Sequence, residues 1–398
     1  MVDAAELGRR VREERRRAGI SERALAVLAD KMPQARLHRI ETGQRRSVSL
    51  DDAHTLARAL GVSLSSLLAE SPVRGRVLSA ARAPEADRAE ADTALLRAVD
   101  LIELEERLTR LDVPGGQQTK AQPLPLSVGS PTRQGRALAE SVRHQWDLHA
   151  APIGDLAELV EDRTGADVAI VELPRAVSGL CVRETTSGVA VLLVNVTHSM
   201  ERQRFSLAHE LGHLLAGDAT RVDTDATSTT SAAESRAHAF ARNLLMPSDD
   251  IRAWLDTYNP DAAHDGAVLD QASLANLAWH YGVSPDALLV QLKELNVLTT
   301  AQARALKGFS ARQLAMKYGW FTDWRARSRA AEAARPPRRL WVRAIEAYRQ
   351  GQLGISALAR LSDDEPATLA TILAEEGITP RRPEAVPVDI EALLSRAR

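Results

Sequence analysis

Apolar positions recur every three or four residues along most of this chain, so helices are expected almost throughout. Leu7 and Val11 lie one helical turn apart. Gly19-Ile20-Ser21 ends that helix and caps the next, whose core side reads as Leu25 and Leu28. A short helix over residues 33–41 stops at Gly43, and a longer one over residues 50–60 stops at Gly61 before a last turn through Leu68. Leu101, Leu104, Leu108 and Leu111 repeat with 3-4-3 spacing. That is about two heptads, too few for a coiled coil, and it fits a helix packed on its own domain. Residues 134–149 and 153–163 continue the helical period. The pattern then changes. Three short runs rich in Val and Leu, 168–173, 179–182 and 189–195, are punctuated by Pro174, Gly179 and Ser187-Gly188 and read as strands. Helices resume over 205–215 and 232–246, the second stopped by Pro247, and the remainder is helical. The fold class expected is mostly α with a small β-sheet (α+β).

At 398 residues the chain should hold two or three domains. Two segments read as linkers: Ser71 to Ala91, rich in Arg, Ala and Pro, and Val113 to Thr132, with P-G-G-Q-Q and P-L-P-L-S-V-G-S-P. The division expected is a small helical domain over 1–70, a linker with a short amphipathic helix over 71–133, a central α+β domain over 134–250 and a helical C-terminal region over 251–398. No 18-residue apolar run or signal-like N-terminus is present, which argues against a membrane partner. One cysteine, Cys181, rules out an internal disulfide framework and suits the cytoplasm.

The chemistry concentrates in His209-Glu210-Leu211-Gly212-His213, an H-E-x-x-H motif within an apolar, helix-competent run. On a helix, residues four apart share a face, so both imidazoles can reach one metal ion. Glu210 lies beside the first of them and can act as a base on a metal-activated water. A third ligand is needed. The metzincin continuation fails, because Ala216 and Ala219 stand where its glycine and histidine belong. Glu234, in the first turn of the 232–246 helix, is the stronger candidate, since its helical face is small, apolar and closely packed. His238, one turn on, is a candidate for a partner behind the ligands or for a ligand itself. Asp218, Asp223 and Asp225 are weaker candidates in a Thr/Asp/Ser-rich stretch, 218–231, that reads as a loop.

R-F-S-L-A-H-E-L-G-H-L-L followed by E-x-x-x-H-A-F-A-R-N-L-L-M-P resembles the ImmA/IrrE family of metallopeptidases. The resemblance spans roughly Gly135 to Pro247. It implies a zincin-like metallopeptidase domain of a bacterial, gluzincin-like protease that cleaves transcriptional repressors. It further implies Zn²⁺ held by His209, His213 and Glu234, with Glu210 as catalytic acid/base. The chain departs from the family at His238, where asparagine is usual, and at Arg236, where a second glutamate is common. In related zinc proteases an edge strand pairs with the extended substrate, and residues 189–195 are the candidate here.

Residues 1–50 hold 12 Lys+Arg against 7 Asp+Glu in a chain of net charge −2, a local basic surface suited to phosphates. P-Q-A-R-L-H-R-I-E-T-G, within this series of short helices, resembles Xre/Cro-type helix-turn-helix domains. The resemblance implies binding of a double-stranded DNA operator, as a homodimer. Gln34, Ala35, Arg36 and His38 would face the major groove, and Arg39, Arg45 and Arg46 would hold phosphates.

Two further stretches, 273–289 and 355–361, resemble helix pairs and read as packing units. Residues 317–349 combine 9 Lys+Arg and 3 Asp+Glu with Trp320, Trp324 and Trp341, and read as charged helix faces over an aromatic core. The sequence therefore points to a DNA-binding transcriptional regulator with a zinc-dependent endopeptidase domain. Its expected substrate is a repressor or the chain itself, in a stress or mobile-element response. The alternative is a non-proteolytic transcription factor whose peptidase-like domain senses a metal or small ligand.

Overall fold

The structure is a computed structural model that describes residues 4–45, 47–62, 64–68, 73, 77, 88–116, 122–184, 186–218, 221–224, 231–258 and 269–381. The chain forms two compact units, one from residues 1–69, 111–113 and 342–398, the other from 70–110 and 114–341.

The first unit begins with five helices: α1 (Ala4–Arg17), α2 (Glu22–Leu28), α3 (Gln34–Glu41), α4 (Leu50–Leu60) and α5 (Leu64–Leu68). Their core gathers Leu7, Val11, Leu25, Leu37, Ile40 and Leu56. The buried carboxylate of Glu41 accepts from Arg15 Nε at 2.7 Å and Nη2 at 2.8 Å, a two-point pairing that ties α3 to α1. The turn between α2 and α3 has no glycine, and Asp30 (φ 52°) and Lys31 (φ 59°) supply its left-handed backbone. That turn directs Ala29 and Met32 inward, and Leu28, expected in the core, is 52% exposed.

The second unit begins with α6 (Arg88–Arg110), which packs across the unit's β-sheet. Leu101, Leu104 and Leu108 thus belong to a 23-residue helix seated on its own sheet, and Leu111 follows its end. Next come α7 (Pro131–Gln145), α8 (Leu156–Thr164), β1 (Asp167–Val171), β2 (Val177–Arg183), β3 (Ala190–Asn195), α9 (Met200–Ala216), β4 (Arg221–Thr224) and α10 (Ala232–Leu245). Among the described residues the sheet has the order β1-β3-β2-β4, with β1 parallel to β3 and the other pairs antiparallel.

Two sequence expectations change here. β3 lies inside the sheet, not at its edge, and all six of its residues are buried. Its unbroken Val/Leu run is the signature of a strand covered on both faces. β4 falls within the stretch expected to be a loop, because Arg-Val-Asp-Thr is too short and polar to show a period. At the opposite edge, Ile170 of β1 exchanges backbone hydrogen bonds with Arg335.

The unit continues through α11 (Ser248–Tyr258), α12 (Gln271–Tyr281), α13 (Pro285–Glu294), α14 (Thr300–Ala305), α15 (Ala311–Tyr318) and α16 (Phe321–Ala331). Helix α17 (Arg338–Arg349) then leads back to the first unit, where α18 (Ile355–Ser362) and α19 (Pro366–Glu375) follow. Arg360 of α18 donates to Leu60 O and pairs with Glu14, joining this helical pair to α4 and α1. Much of the basic stretch 317–349 is spent on internal pairs. Arg335 meets Glu161, Arg338 meets Glu158, and Arg339 meets both Glu105 and Asp167. Among the described residues no helix is long and apolar enough to cross a membrane.

Helices α7 and α10 make the closest packing in the second unit. A Cβ built on Gly135 of α7 would lie 2.1 Å from Arg236 O and 2.9 Å from Phe240 N, both backbone atoms of α10. Glycine is required there because the backbones themselves are in contact. Gly135→Ala should push α10 away and destabilise the protein by about 1–3 kcal/mol or more, read as a lowered midpoint in denaturant unfolding. An unchanged midpoint would contradict this packing.

Candidate metal centre

Helix α9 starts at Ser199, whose hydroxyl accepts from Arg202 N, and ends at Gly217 in the left-handed conformation. Residues 206–215 are all buried, between the sheet on one side and α10 on the other. The i, i+4 spacing therefore delivers His209 and His213 to one face, at 1% and 2% exposure. Helix α10 is capped by Ser231, which accepts from Glu234 N at 3.1 Å. That cap fixes Glu234 in the first turn and aims its carboxylate at the two imidazoles.

Three side chains converge. His209 Nε2 lies 3.0 Å from His213 Nε2 and 3.1 Å from Glu234 Oε2, and His213 Nε2 lies 3.5 Å from Glu234 Oε1. These are the His, Cys, Asp or Glu residues that could hold a metal ion together among the described residues. At 3.0 Å the two imidazole nitrogens must share a positive centre, a proton or a metal ion, because bare lone pairs would repel. Burial works against charge on His213, yet hydrogen bonds to Asp218 and Glu234 hold its pKa up at about 10. Burial likewise opposes the Glu234 carboxylate, but hydrogen bonds from His209 and His213 keep it well below the usual range. The donor set of two nitrogens and one carboxylate is that of an open zinc site, and the residues fit the ion.

Asp218, a weak ligand candidate from sequence, stands behind the cluster. Its Oδ2 accepts from His213 Nδ1 at 2.8 Å, which turns the opposite nitrogen toward Glu234. Arg236 pairs with the other Asp218 oxygen and also reaches Gln134 Oε1 at 3.3 Å. The arginine that departs from the family pattern thus anchors the carboxylate that orients His213. His238 does not join the converging atoms. Its ring lies 4.5 Å from that of His209 at 58°, and burial with the nearby His209 lowers its pKa to about 4. It is a neutral ring packed behind a donor. Asp223 lies in β4, and Asp225 lies outside the described residues.

Glu210 is 1% exposed and points toward β2. A Cβ on Gly179 would lie 3.0 Å from Glu210 Oε1 and 3.2 Å from its Cγ. The glycine that served only as strand punctuation in the sequence makes room for this carboxylate. Three aromatic side chains that could polarise a carbonyl lie away from the cluster. Tyr281 and His280 both engage Asp250, Tyr258 is 70% exposed, and His264 lies outside the described residues.

Residues 164–293 match the family model described as IrrE N-terminal-like domain, and residues 6–70 match that of a helix-turn-helix domain. The chain is a fusion of these two domains. No curated protein matches it. The IrrE-like match contains the whole converging cluster together with Glu210, and it runs on through α13. In the helix-turn-helix domain, Gln34, Ala35, His38 and Arg39 lie exposed on α3, and His38 Nδ1 sits 3.3 Å from Glu22. Arg36 pairs with the buried Asp52 at 2.5 Å, with Arg45 3.7 Å from the same carboxylate. Arg46 lies outside the described residues.

If Asp218 orients His213, Asp218→Ala should keep the fold and weaken Zn²⁺ binding by about 10–100-fold. Competition against a fluorescent chelator measures this, and unchanged affinity would remove Asp218 from the site.

Proposed function

We propose that this chain is a DNA-binding transcriptional regulator whose IrrE-like domain is a zinc-dependent endopeptidase, acting in the cytoplasm on a repressor or on the chain itself. His209, His213 and Glu234 would hold the ion. Bound there, Zn²⁺ would supply Lewis-acid polarisation of a peptide carbonyl and an acidified water. Glu210 would accept a proton from an attacking water and deliver it to the nitrogen of the leaving amine.

The observation that carries this reading is the placement of Glu210. It is a fully buried carboxylate next in sequence to a donor histidine, and Gly179 leaves the space it fills. A site that only sensed a metal would have no use for a buried base at that position, which favours hydrolysis over the non-proteolytic alternative. An extended substrate would add to the outer edge of β4, where no further strand pairs among the described residues. Asp223 of β4 is paired opposite Gly179, so a chain laid along that edge would run one strand from Glu210.

The test separates metal from chemistry. Glu210→Gln should keep one bound Zn²⁺ and lose all cleavage of a co-incubated repressor or of the chain, while His213→Ala should lose both. Discrete fragments from Glu210→Gln would refute the assigned role of Glu210. If no target is cut by the zinc-loaded wild type while a small molecule alters DNA binding, the non-proteolytic reading prevails.

For the other domain we propose that α3 enters the major groove of an operator and that a homodimer binds two half-sites about 34–36 Å apart. The exposure of Gln34, Ala35, His38 and Arg39 supports this. Gln34→Ala should relax base preference at one position. Arg39→Ala should weaken all sequences alike and lower the salt slope by about one unit. Salt-dependent binding measurements on matched and scrambled duplexes distinguish these outcomes. A variant lacking residues 1–70 that still bound the same operator would contradict the proposal.

A further inference from the structure

The second unit contains a cavity of about 660 Å³ on the N-terminal half of α9, within the size range of small-molecule sites. None of His209, Glu210, His213 and Glu234 lines it. Its walls come from the start of α8, Ile170 of β1, the first turns of α9, the end of α12 and the helices α15 and α16.

Its lining is aromatic. Trp279, Trp320 and Trp324 all face it and are half-buried. Trp279 and Trp320 have ring centroids 6.2 Å apart, and Tyr318 stacks behind Trp320 at 5.9 Å. Such walls offer flat, polarisable surface to a flat ligand.

Its lining carries two guanidiniums and two carboxylates. Arg327 lies over the Trp279 ring at 4.0 Å. Arg204 donates to the carbonyls of Tyr281, Gly154 and Ile153, which are neutral acceptors. Among the described residues neither guanidinium makes a salt bridge. The two carboxylates in the lining are already engaged. Glu201 accepts the Trp324 indole N–H at 3.0 Å, and Asp155 caps α8 through Glu158 N at 2.9 Å. Burial lowers Arg204 to about 10 against the pull of Asp155, and the neighbouring Arg327 adds a smaller push.

We propose that this cavity is a binding site for a small planar aromatic molecule bearing an anionic group. The rings take the ligand's flat face and the two arginines take its charge. The site stands independently of the proposed peptidase activity. It shares α9 with the metal centre: Leu207 lines the cavity, and His209 follows two residues later.

Isothermal titration calorimetry on the full chain tests it, with two probes that share a ring and differ in charge: 1-naphthaleneacetate and 1-naphthylmethylammonium. Wild-type protein should bind one equivalent of naphthaleneacetate, with the ammonium probe at least about tenfold weaker. Arg327→Glu, at an exposed position, should weaken naphthaleneacetate by about tenfold or more while leaving the circular dichroism and the Zn²⁺ content unchanged. Trp320→Ala should do the same, and Arg327→Ala replaces the charge reversal if that variant misfolds. No binding of either probe, equal binding of both, or affinity unchanged in Arg327→Glu and Trp320→Ala would each overturn the proposal. Because the readout is binding, it is unaffected by whether the metal centre hydrolyses anything.

Discussion

Two histidine nitrogens held 3.0 Å apart in a buried space, with a carboxylate beside them, form an arrangement that a positive charge must complete. The second unit is organised around that demand. Helix α9 is buried along its whole working length, so neither imidazole can escape into solvent. Helix α10 supplies the carboxylate from its capped first turn, and Asp218 with Arg236 fixes the tautomer of His213 from behind. His213 is locked by a carboxylate that has its own anchor. Such layered support holds donor atoms to the geometry that a metal requires.

Close backbone approach makes this possible. Gly135 lets α7 touch the backbone of α10, and Gly179 lets β2 accept the Glu210 carboxylate against the sheet. Small residues at these two points determine how near the elements carrying the chemistry can come. The structure therefore joins a packing constraint and a buried charged cluster in one layer. The helix-turn-helix domain is built differently. Its ion pairs, Glu41 with Arg15 and Asp52 with Arg36, brace helices from within, while α3 keeps a polar exposed face.

Much of this was legible in the sequence because local spacing carries it. The H-E-x-x-H motif, the capped helix holding Glu234 and the ordered short helices of the N-terminus depend on offsets of three or four residues, which a helix converts directly into shared faces. What failed depends on pairing between distant segments. Nothing local says which strands flank β3, so its inner place in the sheet is not legible, and the four mixed residues of β4 carry no period. Leu28 follows the helical spacing but is turned outward by the left-handed pair Asp30 and Lys31. Asp218 looked like one acid among several until the fold set it against His213. The aromatic cavity is hidden for the same reason, since it joins Trp279 to Trp320 and Trp324, which lie in a separate segment whose charges suggest solvated helix faces.

The central claim is that His209, His213 and Glu234 are the ligands of a single zinc ion. An anomalous-difference map collected at the zinc absorption edge from crystals of the purified full chain tests it most directly. The account predicts one peak, about 2.0–2.2 Å from Nε2 of His209, Nε2 of His213 and one carboxylate oxygen of Glu234, with Glu210 outside bonding distance. A zinc peak bound by other side chains, or a zinc-loaded protein with no peak among these three, would contradict it.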